Sequence, residues 1–218
     1  MRPVAGVDGC RTGWVVVTDP SRAFVCADFA AVLDALDADT VIGVDIPIGL
    51  HDDYVVGGRE ADRAARTRLR SKAASVFSAP PRAAFGSATL PEAQARGCRI
   101  TLQTLHITAK VADVDGVMTP ALQGRVFEVH PELCFEAMRG GGPPLPRKRD
   151  RAGRAQRRDL LARAGIDVPA RPVGATEDDL LDACAAWWGA GRAAAGTGER
   201  VPASPPLDGR GLRMEIRW

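Results

Sequence analysis

The stretch Val41-Ile42-Gly43-Val44-Asp45-Ile46 decides the fold. Its unbroken apolar run is typical of a β-strand buried on both faces. A segment with apolar residues at helical spacing precedes it and starts after Asp28, a helix-capping residue type. A strand entered through a helix usually lies parallel to an earlier strand, with a right-handed crossover. We therefore pair it with the apolar run at residues 4–7, which places Asp8 and Asp45 at neighbouring strand ends.

The remaining strands are predicted around this pair. Turn signals at residues 8–13 and 19–21 separate the first strand from two more, and such short connections produce an antiparallel meander. Strand character returns at residues 125–130, and a short alternating strand ends the chain. The sequence therefore predicts an α/β fold with a mixed five-stranded sheet in the order 3-2-1-4-5, flanked by helices.

Residues 50–120 break this alternation, with helical segments interrupted by prolines. We predict one domain over residues 1–218, with residues 50–120 forming a helical insertion or cap after strand 4. The length of 218 residues is enough to bury a full core in one domain.

The composition is that of a globular protein rather than a disordered or fibrous one. Apolar residues make up 45% and charged residues 26%, as in globular proteins, and the net charge of +2 gives no strong field for nucleic acid. The basic residues are almost all Arg, with Lys only at positions 72, 110 and 148. Five widely spaced cysteines are typical of free buried thiols rather than a zinc site or disulfides. Without a signal-peptide pattern or a long apolar run, we expect a cytoplasmic protein with no membrane partner.

Carboxylates follow or end three of the apolar runs, at Asp8, Asp45 and Glu128. A charged carboxylate on a buried strand costs free energy unless it is paired or binds a metal. Mg²⁺ takes carboxylate oxygens, and two divalent ions ~3.5–4 Å apart can stabilise the attacking and leaving oxygens of a phosphodiester displacement. Turn formation at a strand end is the structural alternative for a single Asp followed by Gly.

A fourth group of acids stands in a later helix. Residues 176–179 have the Thr-x-x-acid form of a capping box, so Asp178 and Asp179 suit the helix N-terminus. Asp182 lies past the first turn among apolar neighbours and is the preferred helical ligand. We predict that the catalytic and metal-binding residues are Asp8, Asp45, Asp182 and Glu128, with Mg²⁺ or Mn²⁺ as the cofactor.

Basic residues provide candidates for binding a phosphate. Arg59, Arg63, Arg66 and Arg70 follow helical spacing, as expected for either a solvated helix face or a phosphate-binding surface. Seven basic residues over 147–158 form either a backbone-contacting patch or a solvated loop. The predicted substrate-binding residues are Arg63, Arg66, Arg82 and Lys110.

Five segments follow one another along the chain in a recognisable order: Gly6-Val7-Asp8-Gly9-Cys10-Arg11-x-Gly13-Trp14, Val44-Asp45-Ile46-Pro47-Ile48-Gly49-Leu50, Ser75-Val76-Phe77-x-Ala79-Pro80-x-Arg82, Glu128-Val129-His130-Pro131-Glu132 and Asp178-Asp179-x-x-Asp182-Ala183. Through these segments the chain resembles the family named domain of unknown function 429, described as predicted ribonuclease H-like nucleases. The resemblance implies a ribonuclease H-like fold and places Asp8, Asp45 and Asp182 on the family's acidic positions, with Glu128 or Glu132 as a further ligand.

These observations predict a hydrolase, namely a divalent-metal-dependent nuclease or phosphodiesterase that uses a carboxylate-held two-metal mechanism on a nucleic acid or nucleotide. Two alternatives stay open. The first is an actin-like or sugar-kinase-type nucleotide-binding protein, because such proteins also place an Asp-Gly turn after their first strand. The second is a non-catalytic nucleic-acid-binding module that keeps the fold. The sequence does not select RNA, DNA or a small nucleotide, and it does not indicate an oligomeric state.

Overall fold

The computed structural model describes residues 2–218 and confirms the predicted sheet. The five strands are β1 (Val4–Cys10), β2 (Gly13–Asp19), β3 (Arg22–Cys26), β4 (Val41–Val44) and β5 (Val126–Glu128), in the order β3-β2-β1-β4-β5. Neighbours β1, β2 and β3 pair antiparallel, whereas β4 pairs parallel with both β1 and β5. The two central strands are thus parallel, so their C-terminal ends meet at one edge of the sheet.

Seven helices accompany the strands over the described residues. They are α1 (Phe29–Asp34), α2 (Glu60–Leu69), α3 (Leu90–Ala95), α4 (Leu102–Val117), α5 (Pro131–Arg139), α6 (Arg151–Arg163) and α7 (Glu177–Ala194). Two short strands, β6 (Arg200–Val201) and β7 (Ile216–Arg217), form a separate two-stranded sheet. Within residues 2–218, none of the helices has both the length and the apolar character needed to cross a membrane.

Two predicted helix starts carry the expected caps. The Asp28 side chain accepts a hydrogen bond from the Ala31 backbone N–H at 2.8 Å. At α7, the Thr176 hydroxyl accepts from the Asp179 backbone N–H and the Asp179 carboxylate accepts from that of Thr176. These bonds satisfy backbone donors that the first turn of a helix leaves without partners. The capping box therefore fixes where α7 begins, and with it the position of Asp182.

The chain divides into two compact units. Unit 1 runs up to Asp45 and adds Arg125–Glu199 and Arg217–Trp218, so it contains the five-stranded sheet with α1, α5, α6 and α7. Unit 2 consists of Ile46–Gly124 and Arg200–Ile216 and contains α2, α3 and α4. The single domain over residues 1–218, with residues 50–120 as an insertion or cap, stays a prediction.

In unit 1, α7 lies directly on the backbone of the two central strands. Gly6 and Gly43 are register partners on β1 and β4. A Cβ on Gly6 would stand 2.1 Å from the Ala183 carbonyl oxygen, and one on Gly43 would stand 2.7 Å from that of Ala186. Only glycine permits this close approach. Because side chains alternate along a strand, Asp8 and Asp45, two residues further on, face α7 as well.

Candidate metal centre

Three carboxylates from three elements converge at the end of the central strands. One oxygen from each of Asp8, Asp45 and Asp182 lies within 4.8 Å of the other two. Asp8 lies on β1, Asp45 directly follows β4, and Asp182 lies on α7. Asp182 is buried, whereas Asp8 and Asp45 are partly buried. We call these residues the acidic triad.

Burial and mutual repulsion make the triad hard to ionise. Burial raises the pKa of Asp45 to about 8, and the charge of Asp182 contributes to this rise. Burial also raises the pKa of Asp8 well above its ordinary value, with further increases from Asp45 and Asp182. The pKa of Asp182 is raised by burial as well, against the opposing effect of Lys148. Clustered, partly dehydrated acids of this kind are stabilised in their charged form by a cation.

The donor set fits a hard divalent cation. Mg²⁺ and Mn²⁺ prefer carboxylate oxygens, and each residue of the triad offers one within 4.8 Å of the other two. The triad has no sulfur or imidazole ligand among its members. The triad could therefore hold a divalent metal ion, and its identity as Mg²⁺ or Mn²⁺ stays a prediction.

Lys148 is a member of the site that the sequence-based prediction missed. Its Nζ lies 2.6 Å from Oδ2 of Asp182, and 48% of its side-chain surface is exposed. Attraction to Asp182 raises the pKa of Lys148 against the effect of burial, so its ammonium stays charged. The sequence did set Lys148 apart, because Lys is rare in this chain: only three of the 29 Lys and Arg residues are Lys.

Glu128 is not brought to the triad. It is in register with Val44 on β4, one residue before Asp45. Side chains of successive residues point to opposite faces of a sheet, so the Glu128 side chain lies on the face away from α7. The side chain is buried there, with 5% of its surface exposed. A shift of one residue in the register of β5 with β4 would place Glu128 on the other face of the sheet. The sequence did not specify that register.

Glu132, the other acid suggested by the resemblance, acts on the triad electrostatically. Its charge contributes to the raised pKa of both Asp45 and Asp182. Its carboxylate is paired with Arg157, a residue with only 1% of its surface exposed. Glu132 therefore adds negative charge close to the triad while being held by a buried cation of its own.

Comparison with known proteins identifies the family of this chain. The family described as protein of unknown function (DUF429) matches residues 6–207. The chain belongs to the DUF429 family. No curated protein matched the chain, and no solved structure matched it. The matched region contains the whole acidic triad together with Glu132, Lys148 and Arg157, so these residues belong to the part of the chain that defines it as a DUF429 protein.

The predicted substrate-binding residues of this DUF429 protein all lie in unit 2. Arg63 donates to the Gly58 carbonyl oxygen at 2.6 Å, and Arg66 donates to Ser78 Oγ at 2.8 Å. Lys110 lies on α4. A substrate contact by Arg63, Arg66 or Lys110 stays a prediction.

Arg82 is held by three carboxylates of the same unit. Its Nε and Nη2 donate to Asp115, its Nη1 to Asp52 and the Leu50 carbonyl oxygen, and its Nη2 also to Asp208. These contacts engage all five N–H donors of the guanidinium. A substrate contact by Arg82, predicted from the sequence, would require this network to open first.

The arginines predicted to form a stripe along α2 differ in exposure, since Arg59 is buried and Arg63 is exposed. Arg59 is 1% exposed and forms an ion pair with Asp62 at 2.6 Å, and Asp62 is equally buried. Its Nη1 donates to the carbonyl oxygens of Ile48 and Gly49. Neither interpretation of the stripe, a solvated face or a phosphate-binding surface, therefore applies to Arg59.

Proposed function

We propose that this DUF429 protein is a divalent-metal-dependent phosphodiesterase, with a nucleic acid or nucleotide as substrate, and that the acidic triad holds Mg²⁺ or Mn²⁺. The observation that carries the proposal is the convergence of Asp8, Asp45 and Asp182 within 4.8 Å. Burial raises the pKa values of these three acids, and the charges of neighbouring acids add to the rise. Keeping them charged therefore costs folding free energy, which a bound divalent cation offsets.

The chain's contribution is to hold the ligands in place. Asp45 continues a fully buried strand, and Asp182 stands on a helix seated on two glycines, so neither backbone can move freely. The Gly9 backbone N–H donates to Asp8 Oδ1 at 2.7 Å and orients that carboxylate. When bound, divalent cations supply the charge stabilisation that phosphodiester displacement requires. Rigid placement of ligands is what such chemistry needs from the protein.

Hydrolysis assays with single-site variants test the proposal. We expect Mn²⁺- or Mg²⁺-dependent cleavage of at least one substrate among RNA, DNA, an RNA–DNA hybrid and a small-molecule phosphodiester. Asp8→Asn and Asp45→Asn should each lower the rate by about 100-fold or more, because even the outer partners of metal ligands are worth 10–100-fold.

Asp159→Asn is the matched control, since this acid lies on α6 in the same unit and pairs only with Arg163 at the surface among the described contacts. It should retain full activity. Metal binding that is lost in Asp8→Asn, without cleavage of any of the four substrates, would contradict catalysis and favour a non-catalytic metal-binding module. Activity that survives in both Asp8→Asn and Asp45→Asn would show that the site is elsewhere.

A further inference from the structure

The ammonium of Lys148 stands where the negative charge of the triad is concentrated. It contacts Asp182 Oδ2 at 2.6 Å, and its charge lowers the pKa of Asp8 and Asp45 against the larger effects that raise them. The two partners differ in freedom: the Asp182 side chain is 5% exposed, and the Lys148 side chain is 48% exposed. The carboxylate is thus buried, whereas the lysine side chain is accessible to water.

The loop that carries Lys148 is held by a buried arginine. Arg157 of α6 donates through Nη1 to the Pro146 carbonyl oxygen and to that of Gly153, both at 3.1 Å. Its Nη2 pairs with Glu132 of α5, and its guanidinium lies 5.3 Å from the centre of the Phe135 ring. Burying an arginine costs desolvation free energy unless its ion pairs and hydrogen bonds offset that cost. These contacts fasten the backbone two residues before Lys148.

Gly153 supplies a second support for the same loop. A Cβ at this position would stand 2.0 Å from the Arg147 carbonyl oxygen and 3.1 Å from that of Pro146. The loop backbone therefore lies directly on α6, which only a glycine allows. A lysine that merely solubilised the surface would need neither this close contact nor the buried arginine.

We propose that Lys148 is a resident counter-cation of the acidic triad, which a divalent cation must displace from Asp182 in order to bind. The inference rests on the proposed function, since it takes the triad to be the metal site. Lys148 balances part of the triad's charge in the metal-free protein and competes with the metal for one of its ligands. It thereby sets the concentration of divalent cation at which the site loads.

Lys148→Met tests the inference through Mg²⁺ affinity, measured by titration calorimetry. Protons also compete with the metal for the triad, so the titration is run from pH 7 to pH 9 and the affinities are compared at the upper end. Lysine stays charged there while competition from protons fades. We expect Lys148→Met to bind Mg²⁺ about tenfold or more tightly than the wild type, because a charge-assisted hydrogen bond no longer has to be broken.

A second readout does not depend on the affinity. In EDTA, Lys148→Met should melt at a lower temperature than the wild type, and saturating Mg²⁺ should remove that difference. Arg149→Met is the matched control, because it removes one positive charge from the next position, which is also exposed. It should match the wild type in both measurements.

The outcomes separate the two proposals. If the wild type binds Mg²⁺ and Lys148→Met binds it no more tightly at pH 9, the counter-cation role is wrong and the metal site stands. If neither protein binds Mg²⁺ at millimolar concentration, the metal site itself is wrong and the inference falls with it. Tight binding that appears only in Lys148→Met would support both.

Discussion

Asp45 costs folding free energy where it lies, and for the same reason its position indicates a site for a cation. It follows four buried residues of β4, and its surroundings raise its pKa to about 8. The sequence predicted its position, because an acid at the end of an apolar run is conspicuous. Lys148 was not predicted, because a lysine in an arginine-rich loop looks like solvated surface until the fold brings it to Asp182.

The raised pKa of Asp45 predicts how the stability of the metal-free protein depends on pH. The folded state keeps a proton up to about pH 8, whereas an exposed carboxyl loses it near 3.8. Between these values the folded state binds more protons than the unfolded state, so the free energy of unfolding should fall as the pH rises from about 4 to 8. Urea unfolding in EDTA at pH 5, 6.5 and 8 measures this fall.

Asp45→Asn serves as the comparison, because the amide does not titrate. Its stability should change less steeply over the same range, with Asp8 and Asp182 still contributing in the same direction. Equal pH slopes for the variant and the wild type would mean that Asp45 is ionised in the folded protein well below pH 8.

At the scale of elements, the sequence predicted the strands and their order, because turn signals, apolar runs and the handedness of the crossover limit the choices. It did not predict how α7 packs on the sheet. The signal was a repeated Gly-x-Asp on the two central strands, at Gly6 to Asp8 and at Gly43 to Asp45. The meaning of this repeat depends on the register of β1 with β4, which residue patterns leave open. The face of the sheet on which Glu128 lies depends in the same way on the register of β5 with β4.

Gly6→Ala is expected to disturb both stability and the site. The new Cβ would stand 2.1 Å from backbone atoms of Ala183 and Trp187, so α7 must shift and carry Asp182 with it. We expect a loss of about 1–3 kcal/mol or more in the free energy of unfolding, as for other overpacked positions, together with weaker Mg²⁺ binding. Urea unfolding and calorimetry measure the two effects.

Gly191→Ala is the control, because Gly191 lies on α7, the helix that packs on Gly6. A Cβ there would meet nothing within 4 Å, and alanine favours a helix over glycine. Its stability should equal or exceed that of the wild type, with unchanged Mg²⁺ affinity. A Gly6→Ala protein that matches Gly191→Ala would show that α7 does not lie against β1 as closely as described.

At the scale of the whole molecule, unit 2 is joined from two distant parts of the sequence. Its C-terminal segment supplies Asp208, which receives a hydrogen bond from Arg82 at 2.6 Å and one from the Leu50 backbone N–H at 2.9 Å. Arg210 of the same segment pairs with Asp115 at 2.8 Å. The division of the chain was not predictable from the sequence, because contacts between residues 95 to 158 positions apart leave no local pattern.

Arg82→Met is expected to loosen unit 2. The change leaves Asp115 and Asp208 without the cation that they share, and breaking a buried ion pair on one side costs about 3–5 kcal/mol. Hydrogen exchange should rise within residues 46–124 and 200–216. Arg68→Met, which alters an exposed residue of the same unit, should leave the exchange pattern unchanged. Slow exchange throughout unit 2 in Arg82→Met would argue against the anchoring role.

The division of residues 200–218 between the two units has a consequence for biosynthesis. Arg217 bridges to Val129 beside β5 and stacks on the Phe127 ring in unit 1, while residues 200–216 complete unit 2. Since ribosomes build the chain from its N-terminus, neither unit can be completed before residues 200–218 have been made. A chain stopped short of Asp208 would leave Arg82 without one of its three carboxylates.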